Sequence, residues 1–126
     1  MAMSMKELVA EARGRVETVS PADAHGAGGL ILDVREPEEF SGKGRAPGSL
    51  NVPRGLLEMR ADPESGASDE RLTALRGGGT LHVMCAAGGR ATMAADTLRR
   101  MGYDAKVIEG GMGGWEKAGL PIEGRD

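Results

Sequence analysis

Apolar positions fall into two kinds of run along this chain. One kind is short and continuous. Gly29-Leu30-Ile31-Leu32-Asp33-Val34-Arg35 is apolar until it meets charge, and Thr80-Leu81-His82-Val83-Met84 is a second, largely apolar run, while Tyr103-Asp104-Ala105-Lys106-Val107-Ile108 reads as a turn and a last strand. Continuous rather than alternating apolarity fits strands covered on both faces, as in a parallel sheet. Val16-Glu17-Thr18-Val19 and Ser49-Leu50-Asn51-Val52-Pro53 read as two briefer strands. The other kind is periodic. Ala91, Ala94, Ala95, Leu98 and Met101 recur at three- and four-residue spacing, a stripe that faces a core from a helix starting at Arg90.

Shorter helical segments fill the gaps. Lys6 to Arg15 carries Leu8, Val9 and Ala12 among good helix formers. Ser20-Pro21-Ala22-Asp23 reads as a helix start, with Ser20 as cap and Pro21 in the first helical position. His25 sits at the end of that helix as a surface residue. Glu36 to Phe40, Gly55 to Met59, Ser68 to Leu75 with Ser68 as cap, and a stretch toward Lys117 complete the set. Residues 41–48 and 60–68 are loops by composition, and Gly119-Leu120-Pro121 closes the fold. Strands and helices alternating in this order predict one α/β domain over residues 1–126, with 1–15 as an N-terminal helical extension. Its sheet is mainly parallel, of about five strands, with helices on both faces.

Composition narrows the function classes. Phe40, Tyr103 and Trp115 are the only aromatics, so Leu, Val, Ile, Met and Ala must build the core. The 21 glycines cluster between periodic segments and mark turns. A net charge of −3 with mixed signs argues against a nucleic-acid partner or an anionic membrane surface. No apolar run is long enough for a bilayer, and the first residues lack the layout of a secretory signal. A single cysteine excludes an internal disulfide and a cysteine zinc cage, and so points to a reducing cytoplasm.

That cysteine, Cys85, follows the Thr80–Met84 strand directly. It is followed by Ala86, Ala87, Gly88 and Gly89, then by Arg90 where the long helix begins. A lone cysteine is often only a small buried hydrophobe. Here it stands in a strand-to-helix loop of small residues, where the N–H groups of residues 86 to 90 are free to turn toward one centre. The helix N-terminus adds its positive end, and the arrangement is an anion nest that favours a thiolate. Arg90 is placed to brace the loop or add charge. Asp33 and Arg35 fall where their strand emerges, at the sheet edge where open α/β sheets bind ligands. They are either support for a site or a locally paired couple. His82 reads as a core or sheet-face histidine, because its spacing from Cys85 does not imply an imidazole–thiolate pair. Cysteine phosphatases carry one more residue between cysteine and arginine. The shorter loop narrows the cradle, which suits a persulfide better than phosphate.

Together Asp33-Val34-Arg35 with Glu39-Phe40, Pro47-Gly48-Ser49-Leu50-Asn51-Val52-Pro53, the loop Cys85 to Arg90, and Gly110-Gly111-Met112 with Trp115 carry a resemblance. From about Val16 to Pro121 the chain resembles a single-domain rhodanese, a sulfurtransferase. The resemblance implies that Cys85 carries sulfur as a persulfide. The backbone of Ala86, Ala87, Gly88, Gly89 and Arg90 would hold it, and Asp33 and Arg35 would support the site. It implies transfer of a sulfane sulfur from a small donor such as thiosulfate to cyanide, a thiol or a protein thiol, with no cofactor and no metal. The chain departs from the family at Ala86 and Ala87, where many members have a basic residue, and at Gly44-Arg45-Ala46, where many have Gly-His-Ile. Arg45 is thereby a candidate to supply the missing cation at the pocket mouth. The uncharged loop also leaves open a carrier or regulatory module loaded by a partner protein. A phosphatase or arsenate reductase on the same fold is the remaining alternative.

Overall fold

The computed structural model describes residues 2–125. Its main sheet has five strands: β1 (Glu17–Val19), β2 (Leu30–Asp33), β4 (Leu50–Asn51), β5 (Thr80–Met84) and β6 (Asp104–Ile108). They lie in the order β1-β6-β5-β2-β4, and every pairing is parallel. The register sets Leu32 beside Val83 and Val83 beside Val107. Alternation along the strands then gives each face its own core.

On one face Leu32, Leu81, Val83, Ala105 and Val107 meet three helices: α4 (Leu57–Ala61), α5 (Glu70–Thr73) and α6 (Gly89–Arg100). Alanines 91, 94 and 95 let α6 lie close to the sheet, and Leu98 fills the far end. On the other face Ile31, Met84 and Ile108 meet α2 (Pro21–Ala27) and α7 (Gly111–Lys117) through Ala24, Met112 and Trp115. Trp115 is buried, and its indole N–H donates to the Pro121 carbonyl at 2.7 Å. His25 is exposed at the end of α2, as expected, yet its ring sets an edge against Trp115 with centroids 5.5 Å apart.

The N-terminal helix α1 (Met5–Arg13) starts with a capping box between Ser4 and Glu7 and packs on α6. It ends at Arg13, with Gly14 as its cap, two residues before the predicted end. Arg15 is instead a tether, donating to Asp96 on α6 at 3.0 and 2.8 Å. Helix α5 is capped by Asp69 rather than Ser68, because the Asp69 carboxylate reaches the Arg71 N–H at 2.9 Å. Two departures are larger. Residues 41–48 are not all loop: α3 (Pro37–Gly42) runs into β3 (Lys43–Arg45). Nor does the fold close at Pro121, since β7 (Glu123–Arg125) pairs antiparallel with β3. Both strands of this ribbon are polar and centred on glycine, so hydrophobic patterning carried no sign of them.

Where β2 leaves the sheet, charge is buried. Asp33 and Arg35 are 0% and 2% exposed. Arg35 donates from Nη2 at 2.7 Å and from Nε at 2.9 Å to the two oxygens of Asp33. Its remaining capacity goes to the carbonyls of Gly44 at 2.9 Å and Glu39 at 3.5 Å. Asn51 donates to the carbonyls of Asp33 and Arg35 at 3.0 and 2.9 Å, tying β4 to the same corner. The couple therefore fixes the path from β2 through α3 to β3. Arg35→Met strands a buried carboxylate, and urea unfolding should show a loss of about 3 to 5 kcal/mol.

His82, 4% exposed, lies on the α2–α7 face of β5 with Nδ1 unpaired. Burial lowers its pKa, and the charge of Lys106 lowers it further. The folded state thus takes up this proton less readily than the unfolded chain, and stability declines as pH falls below about 6.5. His82→Leu should flatten the unfolding free energy between about pH 5 and 7 relative to wild type.

Candidate active site

Cys85 follows the last residue of β5, at the carboxyl edge of the sheet. Its side chain is buried, while Ala86 and Ala87 above it are exposed. The chain then turns through Gly88 into α6. Gly88 has φ of +124°, a conformation open to glycine and strained for other residues, and it has free space around its Cα. What the position demands is backbone freedom rather than room. The turn aims two backbone donors at the thiol: the N–H of Gly88 lies 3.0 Å from Sγ and that of Ala91 lies 3.4 Å away. Ala91 is one residue beyond the predicted loop, so the first turn of α6 takes part directly. Thr92 braces the turn by donating its hydroxyl to the Gly88 carbonyl at 2.8 Å. The N-terminus of a twelve-residue helix therefore faces the sulfur.

The other side of the loop is pinned from α7. The N–H groups of Met112 and Gly113 donate to the carbonyls of Cys85 and Ala86 at 2.8 and 3.2 Å. With these carbonyls satisfied by α7, the loop can present N–H groups to the sulfur side. Gly111 must be glycine, because a Cβ there would run into the Cys85 carbonyl and its φ is +57°. The Gly110-Gly111-Met112 motif is thus a clamp on the cysteine loop.

Arg90 braces the loop on the α3 side. It forms a two-pronged ion pair with Glu39, at 2.8 and 3.1 Å. Glu39 also accepts the N–H of Glu36 at 3.0 Å. The hydrogen bonds from Arg90, aided by that backbone donor, hold the Glu39 carboxyl at about 2, well below its ordinary value of 4.5. A carboxyl depressed in the fold contributes stability above its unfolded value and loses it as pH falls toward the folded one. The pair is therefore fully charged at neutral pH.

The sequence-based candidates thus separate. Cys85 and residues 86 to 90 form one loop. Asp33 and Arg35 stand one step behind it, since Arg35 holds α3, which presents Glu39 to Arg90. Arg45 does something else: it lies in β3, with Cζ 5.4 Å from the Phe40 ring centroid and Nε 3.7 Å from Glu123. Neither partner belongs to the cysteine loop. Three contributors were not singled out from sequence. Glu39 read as an ordinary first-turn acid, Asn51 as part of a strand, and Gly111 as part of a glycine-rich turn. The one available signal for Glu39 was its place in the Asp33-to-Phe40 motif.

Among the described residues no group of three or more His, Cys, Asp or Glu is placed to hold a metal ion, and no helix is long and apolar enough to cross a membrane.

Comparisons with known proteins agree with this architecture. The model of the rhodanese-like domain matches residues 16–118. Thiosulfate sulfurtransferase 16, chloroplastic, of Arabidopsis thaliana is 38% identical over 109 residues, covering 77% of this chain and 82% of that protein. The "Putative sulfur carrier protein YrkF" of Bacillus subtilis (strain 168) is 35% identical over 86 residues, 68% of this chain, which spans only 40% of that longer protein. Among solved structures, RPA3614 of Rhodopseudomonas palustris CGA009, described as a protein of unknown function and possible tyrosine phosphatase, superposes with a TM-score of 0.84 at 35% identity, covering 98% of this chain and 96% of that one. With a parallel sheet, a cysteine loop at its carboxyl edge and a family match over most of its length, the chain belongs to the rhodanese-like domain family.

Proposed function

We propose that this protein is a sulfurtransferase that carries a sulfane sulfur on Cys85 as a persulfide. The observation that supports this most is the pair of backbone donors, Gly88 and Ala91, converging on Sγ. Donors fixed in advance stabilise negative charge without reorganising as the reaction proceeds. A thiolate nucleophile and a terminal persulfide anion have the same requirement, one electron-rich sulfur after the other in a nest of N–H groups.

The reaction is a double displacement. The Cys85 thiolate attacks the outer sulfur of the donor. With thiosulfate, the bond between its two sulfurs breaks and sulfite leaves with the electron pair. The outer sulfur of the Cys85 persulfide is then attacked by a thiophilic acceptor: cyanide in an assay, or a thiol or protein thiol. Cys85 returns as thiolate. No electrons are gained or lost overall, and the chemistry calls for no metal or organic cofactor. With no second cysteine in the chain, the acceptor comes from outside. The domain acts as one unit, with α1 (Met5–Arg13) as a helical extension laid on α6. Its single free thiol suits a reducing compartment such as the cytoplasm.

A second reading has its own support. Ala86 and Ala87 form an exposed rim without charge, and one relative is named for sulfur carriage. A module loaded by a protein partner would accept sulfur in a single event and turn over slowly with thiosulfate. The phosphatase reading has less behind it, because the loop is short and Arg90 is held by Glu39 rather than free to grip phosphate.

Intact-mass measurement tests the proposal. Incubation with a sulfane donor should add one sulfur atom, removable by cyanide and absent in Cys85→Ala. Failure to form the adduct with any sulfane donor, together with Cys85-dependent turnover of an aryl phosphate, would reverse the assignment.

A further inference from the structure

Thiosulfate and a thiol persulfide deliver the same sulfur but differ at the end that leaves. Thiosulfate brings a sulfonate group and releases sulfite, and both are dianions. A persulfide on an alkyl thiol brings a carbon chain and releases a thiolate. A site that grips the sulfonate needs a cation beside the cysteine with hydrogen-bonding capacity to spare.

The arginines contributed by segments at this edge of the sheet are already engaged. Arg35 is buried against Asp33. Arg45 is held between Glu123 and the Phe40 ring. Arg54 is paired with Glu58 at 3.0 Å and donates to Thr97 at 3.3 Å. Arg90 is the one whose own chain segment borders the sulfur, since the next residue, Ala91, donates to Sγ. Its guanidinium is taken on both prongs by Glu39, whose side chain is about one-quarter exposed. The rim residues Ala86 and Ala87 add no charge.

We propose that Glu39 sets donor specificity by withholding the Arg90 guanidinium from the donor, so that Cys85 draws sulfur from thiol persulfides rather than from thiosulfate. This rests on the persulfide chemistry of Cys85 proposed above. The step balances: the Cys85 thiolate attacks the outer sulfur of the donor persulfide anion, the donor S–S bond breaks, and its inner sulfur departs as a thiolate while Cys85 holds the new S–S bond. Glu39 does not touch the reacting atoms. It is a positioning residue, and three features make it one: the α3 helix that carries it, the Arg35 contact to its carbonyl, and the Glu36 N–H that orients its carboxylate.

The test compares two donors, thiosulfate and hydroxyethyl persulfide, in the full chain, with thermal melts confirming that each variant is folded. Wild type should show the higher kcat/KM with hydroxyethyl persulfide. Glu39→Gln keeps the shape of the side chain and removes its charge. The ratio of thiosulfate to persulfide kcat/KM should then rise about tenfold, as expected for one charge-assisted hydrogen bond made available to the donor. The gain should appear chiefly as a lower thiosulfate KM. Glu39→Asp keeps the charge and should stay near the wild-type ratio. Adding Arg90→Met to Glu39→Gln should abolish the gain. An equal fall with both donors in Glu39→Gln, or a gain that survives removal of Arg90, overturns the proposal. If Cys85 gains no sulfur from either donor, the sulfurtransferase reading itself has failed.

Discussion

Two backbone N–H groups aimed at one sulfur are the contact that the surrounding structure serves. They come from residues on either side of Arg90: Gly88 in the turn and Ala91 in the first turn of α6. A loop of small residues gains no rigidity from its own side chains, so its shape must be imposed from outside. The α7 start imposes it by taking the carbonyls of Cys85 and Ala86. Helix α6 imposes it through the Thr92 hydroxyl and the continuous helix that follows. Helix α3 imposes it through the ion pair of Glu39 and Arg90. A preorganised electrostatic site requires this, since donors that had to reorient during the reaction would lose much of their value.

The supporting shell is itself supported by charge that is buried and fully paired. Arg35 and Asp33 lie out of water with their hydrogen-bonding capacity spent on each other and on main-chain carbonyls. Such couples are weak sources of stability, because desolvation opposes attraction, but breaking one is expensive. Here the couple joins β2 to α3 and β3, and Asn51 extends it to β4. On the opposite side of the loop, Met5 and Val9 of α1 pack near Gly89, with atoms 3.5 and 3.8 Å from where its Cβ would lie. The N-terminal helix therefore covers the start of α6.

The parallel sheet was legible because strands buried on both faces have to be largely apolar, and Leu30 to Val34 and Leu81 to Met84, interrupted only by Asp33 and His82, have little other use. The α6 stripe was legible for the same reason. The cysteine loop was legible because a thiol followed by four small residues and an arginine has few uses. What was hidden depended on contacts distant in sequence or on polar strands. Lys43–Arg45 and Glu123–Arg125 pair through main-chain groups and carry no apolar signature. Glu39 and Arg90 are 51 positions apart, and only the place of Glu39 in the Asp33-to-Phe40 motif sets that acid apart from its neighbours Glu36 and Glu38. Arg45 was a candidate because it replaces a residue common in the family, yet its ring and carboxylate partners lie outside the loop.

The most direct measurement is the amide spectrum of the isotopically labelled protein before and after sulfur loading. A persulfide held by the loop should move the Gly88 and Ala91 amide proton resonances markedly, and cyanide should return both. Amides on the exposed face of α1 should stay in place. Loading that leaves the Gly88 and Ala91 resonances unmoved would contradict a sulfur held by these donors.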